Sequence, residues 1–203
     1  MKEQNQLISA LKELKSIASG STSRTLLPQI DYEIDKLETD SFYLAVLGQF
    51  KRGKTTFINA LLGEEILPTG VLPLTSIITL IRFGATKRAE VVFLDKRRCA
   101  IDTTELRQYV SESENARNEK KVHHVELVYP SSFLKNGIVL IDTPGVGSIA
   151  LHNTETTHGF LLRIDAAVVV LGADPPVTQA EFQFIDELFL SVEKAFFLLD
   201  SLL

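Results

Sequence analysis

The sequence predicts an α/β fold: a mainly parallel sheet covered by helices on both faces, preceded by an N-terminal helical hairpin. Three observations carry this expectation. From residue 42 onward, short runs rich in Val, Ile, Leu and Phe alternate with stretches of helical periodicity, the pattern of strands joined by crossover helices. Between the first apolar run and the first helical stretch lies Gly48-Gln49-Phe50-Lys51-Arg52-Gly53-Lys54-Thr55, which reads G-x-x-x-x-G-K-T. A buried-type run at 138–141 ends on Asp142-Thr143-Pro144-Gly145.

In chain order, residues 4–18 place Leu7, Ile8, Leu11, Leu14 and Ile17 at helical spacing with Lys and Glu between them. Gly20-Ser21-Thr22-Ser23 breaks that pattern, and Leu26, Leu27, Ile30, Ile34 and Leu37 begin a second helix. The hairpin either covers the core of the following domain or belongs to a helical stalk. Residues 42–47 read as a strand and 56–62 as a helix. The alternating, Ile- and Thr-rich residues 74–83 read as a strand, and 90–95 as its neighbour across the polar turn 84–87. Residues 103–121 are charged and read as a surface helix plus loop. Strands follow at 122–129 and 137–141, a helix at 153–164 and a strongly apolar strand at 166–171. A helix over 178–189 begins at Thr178 with Glu181 in the capping-box position, and 195–199 opens a last strand. The domain boundaries expected from this are 1–40 for the helical segment and 41–203 for the α/β domain.

Composition narrows the functional classes. The 203 residues are 45% hydrophobic and 23% charged, enough for one domain with a real core. A net charge of −5 implies no general affinity for nucleic acid or acidic membranes. Cys99 is the single cysteine, which excludes an internal disulfide and suits a reducing cytosol. The first residues are too polar for a signal peptide, and no apolar run approaches the ~20 residues of a membrane span.

The glycine-rich motif has a mechanical reading. A strand running through a tight turn into a helix N-terminus aims backbone N–H groups at one point, where a phosphate can sit. Gly48 and Gly53 permit the turn, Lys54 reaches the β- and γ-phosphates, and the Thr55 hydroxyl is placed for Mg²⁺. The D-T-P-G motif falls at a strand's carboxyl end, where ligands bind in open α/β sheets. Asp142 is suited to the Mg²⁺ shell through water, and the Gly145 N–H to the γ-phosphate. Thr75, in the loop before the next strand, is placed to bind Mg²⁺ and the γ-phosphate, with Thr69 a rival and a plain strand-initiating threonine the simpler alternative.

Taken together, residues 48–63, Leu67-Pro68-Thr69-Gly70, Pro73-Leu74-Thr75, Asp142-Thr143-Pro144-Gly145-Val146-Gly147-Ser148 and the segment 165–178 resemble the bacterial dynamin-like GTPases, across roughly residues 40–200. The resemblance implies a P-loop NTPase G domain that hydrolyses GTP with Mg²⁺. The implied nucleotide-binding set is Gly48, Gln49, Phe50, Lys51, Arg52, Gly53, Lys54, Thr55, Thr56, Asp142 and Gly145. Lys54, Thr75, Gly145 and Lys51 are the implied catalytic residues, and Thr55, Thr75 and Asp142 the metal ligands. It also implies a homodimer through the G domain, and membrane remodelling by segments outside this chain. The implied location is the cytoplasm, at most peripheral at the inner face of the cell membrane.

Two departures from that family's pattern stand out. Dynamins proper carry a polar pair where this chain has Phe50 and Lys51. Phe50 has nothing with which to orient water; Lys51 or Arg52 can act as a cation within the site or for a neighbour, and a solvated surface charge is the plainer alternative for both. The last strand runs into Asp200-Ser201-Leu202-Leu203 rather than an N-K-x-D motif, so base selectivity is expected to be weakened, Asp200 serving as the guanine reader only with a shifted loop, and the G domain is expected to be truncated at its C-terminus. His123, His124, His152 and His158 lack zinc-like partners in sequence and read as structural or solvated. The alternatives to a dynamin-like GTPase are an assembly or regulatory GTPase or ATPase without a membrane role, and a nucleotide-holding module without turnover.

Overall fold

A computed structural model describes residues 2–19, 26–49, 51–69, 77–145, 164–172, 177–189 and 192–200. The chain divides into two compact units, Met1–Phe42 and Tyr43–Leu203.

The first unit is a pair of helices, α1 (Lys2–Ser19) and α2 (Leu27–Thr39). Ala18, Ile30 and Ile34 form its small core, with Ile8, Leu11 and Leu27 packed against them. Pro28 lies in the first turn of α2, where its missing N–H costs nothing. Asp40 ends α2 in the left-handed conformation at φ 48°, and its N–H returns to the Lys36 carbonyl. Gln4 Nε2 donates to the Leu37 carbonyl at 2.6 Å. The ion pairs Lys12–Glu38 and Lys15–Asp31 are solvent-exposed and contribute little. Leu7, Leu14 and Ile17 remain exposed on α1.

The second unit is built on an eight-stranded sheet: β1 (Phe42–Leu47), β2 (Thr79–Phe83), β3 (Arg88–Phe93), β4 (Arg98–Ile101), β5 (Val122–Tyr129), β6 (Ile138–Asp142), β7 (Ala166–Gly172) and β8 (Ala195–Asp200). Their order is β4-β3-β5-β2-β6-β1-β7-β8. The parallel expectation describes β1, β7 and β8, which pair in parallel, with Leu44↔Ala166 and Leu47↔Val169 in register. The other half is mixed: β2 runs parallel to β5 but antiparallel to β6, and β3 is antiparallel to both β4 and β5. The expected neighbours β2 and β3 are separated by β5. The turn between them passes over β5: the Gly84 N–H donates to the Tyr129 carbonyl, and a side chain at 84 would overlap that of Val128.

Among the described residues, three α-helices accompany the sheet: α3 (Lys54–Leu62), the single turn α4 (Arg107–Val110) and α5 (Gln179–Phe189). Val46, Ile58, Ile81, Leu127 and Leu140 are fully buried in the main core, with Phe57 and Leu61 of α3 packed against it. Gly63 closes α3 at φ 80°, its N–H bonded to the Asn59 and Ala60 carbonyls.

Strand β4 is missing from the sequence reading. Its four residues are too few to show a period, and its turn lacks the usual glycine: Lys96 takes the left-handed position at φ 69°. The stretch 103–121 contains short turns rather than one surface helix. Two asparagines supply the missing hydrogen bonds: Asn115 donates to the Tyr109 carbonyl at 2.7 Å, and Asn118 brackets Val122 by accepting from its N–H and donating to its carbonyl. The expected helix at 153–164 lies outside the described residues up to 163.

The histidine pair on β5 has a structural role. The β3–β5 register shifts by one residue between Val92 and Phe93, so His123 and His124 are both half-buried while Val122 and Val125 are fully buried. His123 Nδ1 lies 2.7 Å from His124 Nδ1, and His124 Nε2 lies 3.1 Å from Glu126 Oε1. With both rings neutral this is one consistent chain, His123 donating to His124 and His124 to Glu126. Arg98 adds a second donor to Glu126 at 3.1 Å.

At the other margin, β8 is the last of the described strands, and its Phe196, Phe197, Leu198 and Leu199 are all exposed, with Phe189 of α5 tilted against Phe197 at 6.3 Å.

The bond from His124, with help from Arg98, holds the Glu126 carboxyl down to about 2 despite partial burial. A depressed carboxylate contributes stability that is complete above its unfolded value of 4.5 and is lost as pH falls through about 2. Glu126→Gln is therefore expected to destabilise by roughly 1.5–3 kcal/mol at neutral pH. In urea unfolding across a pH series, the gap to the wild type should close between pH 4.5 and 2; a constant gap would show that ionisation of Glu126 is irrelevant.

Candidate functional site

The glycine-rich turn leaves β1 at Gly48, whose φ of 144° only glycine adopts readily. Glycine is needed for a second reason: a Cβ at 48 would run into the backbone carbonyl of Val170 on β7. The parallel register of β1 and β7 thus brings two backbones together where the turn begins. Lys51 is left-handed at φ 64° and Gly53 at 75°, so Arg52 sits between two residues with positive φ. A left-handed non-glycine residue costs roughly 1–2 kcal/mol and persists only where its surroundings fix it. Gly53 is the N-cap of α3, leaving the first N–H groups of that helix without a side-chain cap.

Lys54 opens α3 and is buried, 7% exposed. Its ammonium donates to the Gln49 carbonyl at 2.9 Å. Burial pushes the Lys54 ammonium below the usual lysine range, and the Asp142 carboxylate acts in the opposite direction. A cation held this way gains when an anion arrives beside it. Thr55 Oγ1 lies 3.4 Å from Asp142 Oδ2, so the hydroxyl and carboxylate expected to serve a metal stand together. Asp142 is 2% exposed at the end of β6. Its neighbour Thr143 donates its hydroxyl to the Val46 carbonyl at 2.8 Å, tying the ends of β6 and β1 together. Gly145 is buried immediately beyond, whereas Thr56 faces outward on α3.

Two further residues organise the turn. Gln49 Nε2 donates to Thr178 Oγ1 at 2.7 Å. Thr178 and Glu181 form the expected capping box of α5: the Thr178 N–H donates to Glu181 Oε2 at 2.8 Å, and the Glu181 N–H to Thr178 Oγ1 at 3.3 Å. Arg52, 4% exposed, is no solvated surface charge: its Nε lies 3.5 Å from Glu181 Oε1, itself on a residue 2% exposed. Its guanidinium lies over Gly172, where any Cβ would overlap it. Among the described residues, Arg52 Nη2 and Glu181 Oε1 make no hydrogen bond. Lys51, by contrast, is exposed.

The sequence reading missed Asn59 as a functional residue. Its side chain donates to the Leu67 carbonyl at 2.9 Å and accepts from the N–H groups of Leu67 at 3.0 Å and Ile66 at 3.2 Å. One buried amide on the helix after the glycine turn thereby fixes the start of the loop that contains Thr69, which is exposed. An asparagine on the inner face of a short helix was the available signal. Phe50, Thr75, His152, His158 and Ser201–Leu203 lie outside the described residues, as does the side chain of Asp200.

The structure brings Gly48, Gln49, Arg52, Gly53, Lys54, Thr55, Asp142 and Gly145 around the carboxyl ends of β1 and β6. A glycine-built turn at a helix start without a side-chain cap, a buried ammonium and a hydroxyl–carboxylate pair can hold a polyphosphate and a hard divalent cation.

A family model described as "Dynamin family" matches residues 44–199 of the chain. A protein of Caldicellulosiruptor sp. named for the region 3′ of xynA is 41% identical over 198 residues, 98% of this chain and 49% of that protein. The "Bacterial dynamin-like protein" of Nostoc punctiforme is 31% identical over 187 residues, 84% of this chain and 27% of that one. Among solved structures, an oligomerised bacterial dynamin pair, described as providing a mechanism for the long-range sensing and tethering of membranes, superposes with a TM-score of 0.67 at 22% identity. The match covers 97% of this chain and 31% of that one, and it shows the fold. The chain thus spans about half or less of the length of these relatives.

Asn59→Ala removes three hydrogen bonds, two of them fully buried, and is expected to cost roughly 1.5–4 kcal/mol. Chemical denaturation measures the loss. Limited proteolysis should show faster cleavage near residues 66–69 in the variant than in the wild type; unchanged cleavage would mean that Asn59 does not anchor the loop.

Proposed function

The chain belongs to the dynamin family, and from that premise we propose that it binds GTP and hydrolyses it to GDP and phosphate at the site around Lys54. The observation that carries this reading is the meeting of Lys54, Thr55 and Asp142 beside a glycine-built turn. In this proposal the Lys54 ammonium exchanges the Gln49 carbonyl for phosphate oxygens, which relieves the cost of its burial. The backbone N–H groups of residues 48–55 receive the β-phosphate, and the Gly145 N–H the γ-phosphate.

The donors also suit Mg²⁺: Thr55 and Asp142 present hard oxygens, and a buried carboxylate at hydrogen-bond range from a hydroxyl fits an ion that keeps several of its waters. When bound, Mg²⁺ supplies charge neutralisation on the β- and γ-phosphates. Thr75 is proposed as a further metal ligand that orients the attacking water, with Thr69 as its alternative, and exposed Lys51 as a cation facing the phosphates or a neighbouring copy. Catalysis in such a site is positioning and charge stabilisation rather than covalent chemistry.

The wider biology is proposed for a protein of the relatives' length. The resemblance to bacterial dynamins supports pairing of two G domains and nucleotide-dependent membrane remodelling. The exposed Leu7, Leu14 and Ile17 of α1 support a neck or stalk role for residues 1–40. No helix among the described residues is long and apolar enough to cross a membrane; the cytoplasm, or the inner face of the cell membrane, is proposed as the location from the resemblance to bacterial dynamins.

Titration with GTP and with ATP in the presence of Mg²⁺, alongside phosphate release, tests the reading. GTP binding is expected, weakened about a hundredfold or more, about 2.7 kcal/mol, by Lys54→Ala. Asp142→Asn is expected to lose the Mg²⁺-supported turnover at least tenfold while leaving metal-free binding within about tenfold. Binding of GTP and ATP without turnover would replace the GTPase with a nucleotide-holding module. Binding indifferent to Lys54→Ala would move the nucleotide elsewhere.

A further inference from the structure

We propose that Arg52 is a positioning residue of the phosphate-binding turn: its buried pairing with Glu181 ties the curvature of residues 48–53 to the first turn of α5. The inference rests on the reading of the Lys54 site as a nucleotide site and adds to it the element that keeps the turn formed before nucleotide arrives.

Lys51 holds a left-handed conformation without being glycine, and Gly53 repeats it two residues on. Such a turn relaxes unless something outside it fixes its middle. Arg52 is that middle residue. Its side chain runs inward over Gly172 at the end of β7 and reaches Glu181 of α5. Gln49 forms a second tie three residues earlier, to Thr178. Both ties end on one capping box, because Thr178 and Glu181 bond to each other. The turn is thus fastened at two points to a single rigid helix terminus.

The chemistry of the pair argues for direction rather than bulk stability. Burying two opposite charges is a poor way to stabilise a core, since desolvation offsets most of the attraction and an apolar pair of similar volume does as well. Here the geometry is not even saturated: the closest approach is 3.5 Å, and Arg52 Nη2 and Glu181 Oε1 make no hydrogen bond among the described residues. What a charge pair supplies and an apolar pair does not is a unique mate. Among the described residues, the carboxylate that the Arg52 side chain meets is that of Glu181, which fixes where the middle of the turn is held. Gly172 completes the arrangement by leaving room for the guanidinium where any other residue would fill it.

The test compares three proteins: wild type, Arg52→Lys, and the double variant Arg52→Gln with Glu181→Gln. Arg52→Ala alone leaves a buried unpaired carboxylate and risks failing to fold; the double variant carries no charge at either position of this pair and keeps an acceptor for the Thr178 N–H. Amide hydrogen exchange is read in nucleotide-free protein for peptides covering 48–56, with β5 peptides as the reference. The double variant should exchange at least tenfold faster in 48–56 and unchanged in β5. Arg52→Lys, whose ammonium still meets Glu181, should stay within threefold of wild type. In GTP turnover, the double variant should raise KM at least tenfold with kcat within threefold, because a loosened turn must be reordered on binding. Wild-type exchange in the double variant, or equal loosening in both variants, would overturn the proposal. If the wild type bound no GTP, the GTPase reading would fall while the exchange comparison still decided the role of Arg52.

Discussion

The site depends on one close approach of two backbones. Strands β1 and β7 run parallel in register up to Leu47↔Val169, and the next residue on β1 is a glycine lying against the Val170 carbonyl. No side chain fits there, so the chain can turn away from the sheet at Gly48 and nowhere earlier. Everything that follows inherits its position from this turn: the left-handed Lys51 and Gly53, the N-terminus of α3, and Lys54 over its own loop. The bond from Thr143 to the Val46 carbonyl then brings β6 to the same level, so Asp142 arrives beside Thr55 without any long loop having to place it.

The second constraint is electrostatic. Lys54, Arg52, Asp142 and Glu181 are all buried within a short stretch of the sheet's carboxyl edge. Charges out of water are costly unless paired, and the pairing here is uneven. Arg52 has Glu181 as its mate. Lys54 has a backbone carbonyl and the more distant influence of Asp142, an arrangement that leaves the ammonium with more to gain from an anionic ligand. The division of labour between two adjacent cations follows from which way each side chain leaves the helix start: inward toward α5 for one, back over the turn for the other.

Much of this was legible in the sequence, for identifiable reasons. The strands at 42–47, 122–129, 138–142 and 166–172 are long enough and apolar enough to declare themselves, and the motifs at 48–55 and 142–145 name their own chemistry. The Thr178–Glu181 capping box is a local pattern and was read as one. What sequence did not reveal was non-local. Strand order places β5 between β2 and β3, which no periodicity encodes. Strand β4 was too short to show alternation, and its turn uses a lysine where glycine is customary. Arg52 looked like a surface charge because its partner lies 129 residues away in sequence, and Asn59 looked like one more polar residue on a helix. Each became meaningful only when a second element was brought beside it.

The exposed side chains of β8 carry a consequence of their own. Four successive apolar side chains, two on each face of the strand, lie beside a row of backbone groups at the sheet's margin. Natural edge strands are usually blunted by charge, proline or a bulge, and residues 195–199 have none of these. Such a strip is where a further strand can add to the sheet by backbone pairing, its own apolar side chains meeting those of residues 196–199.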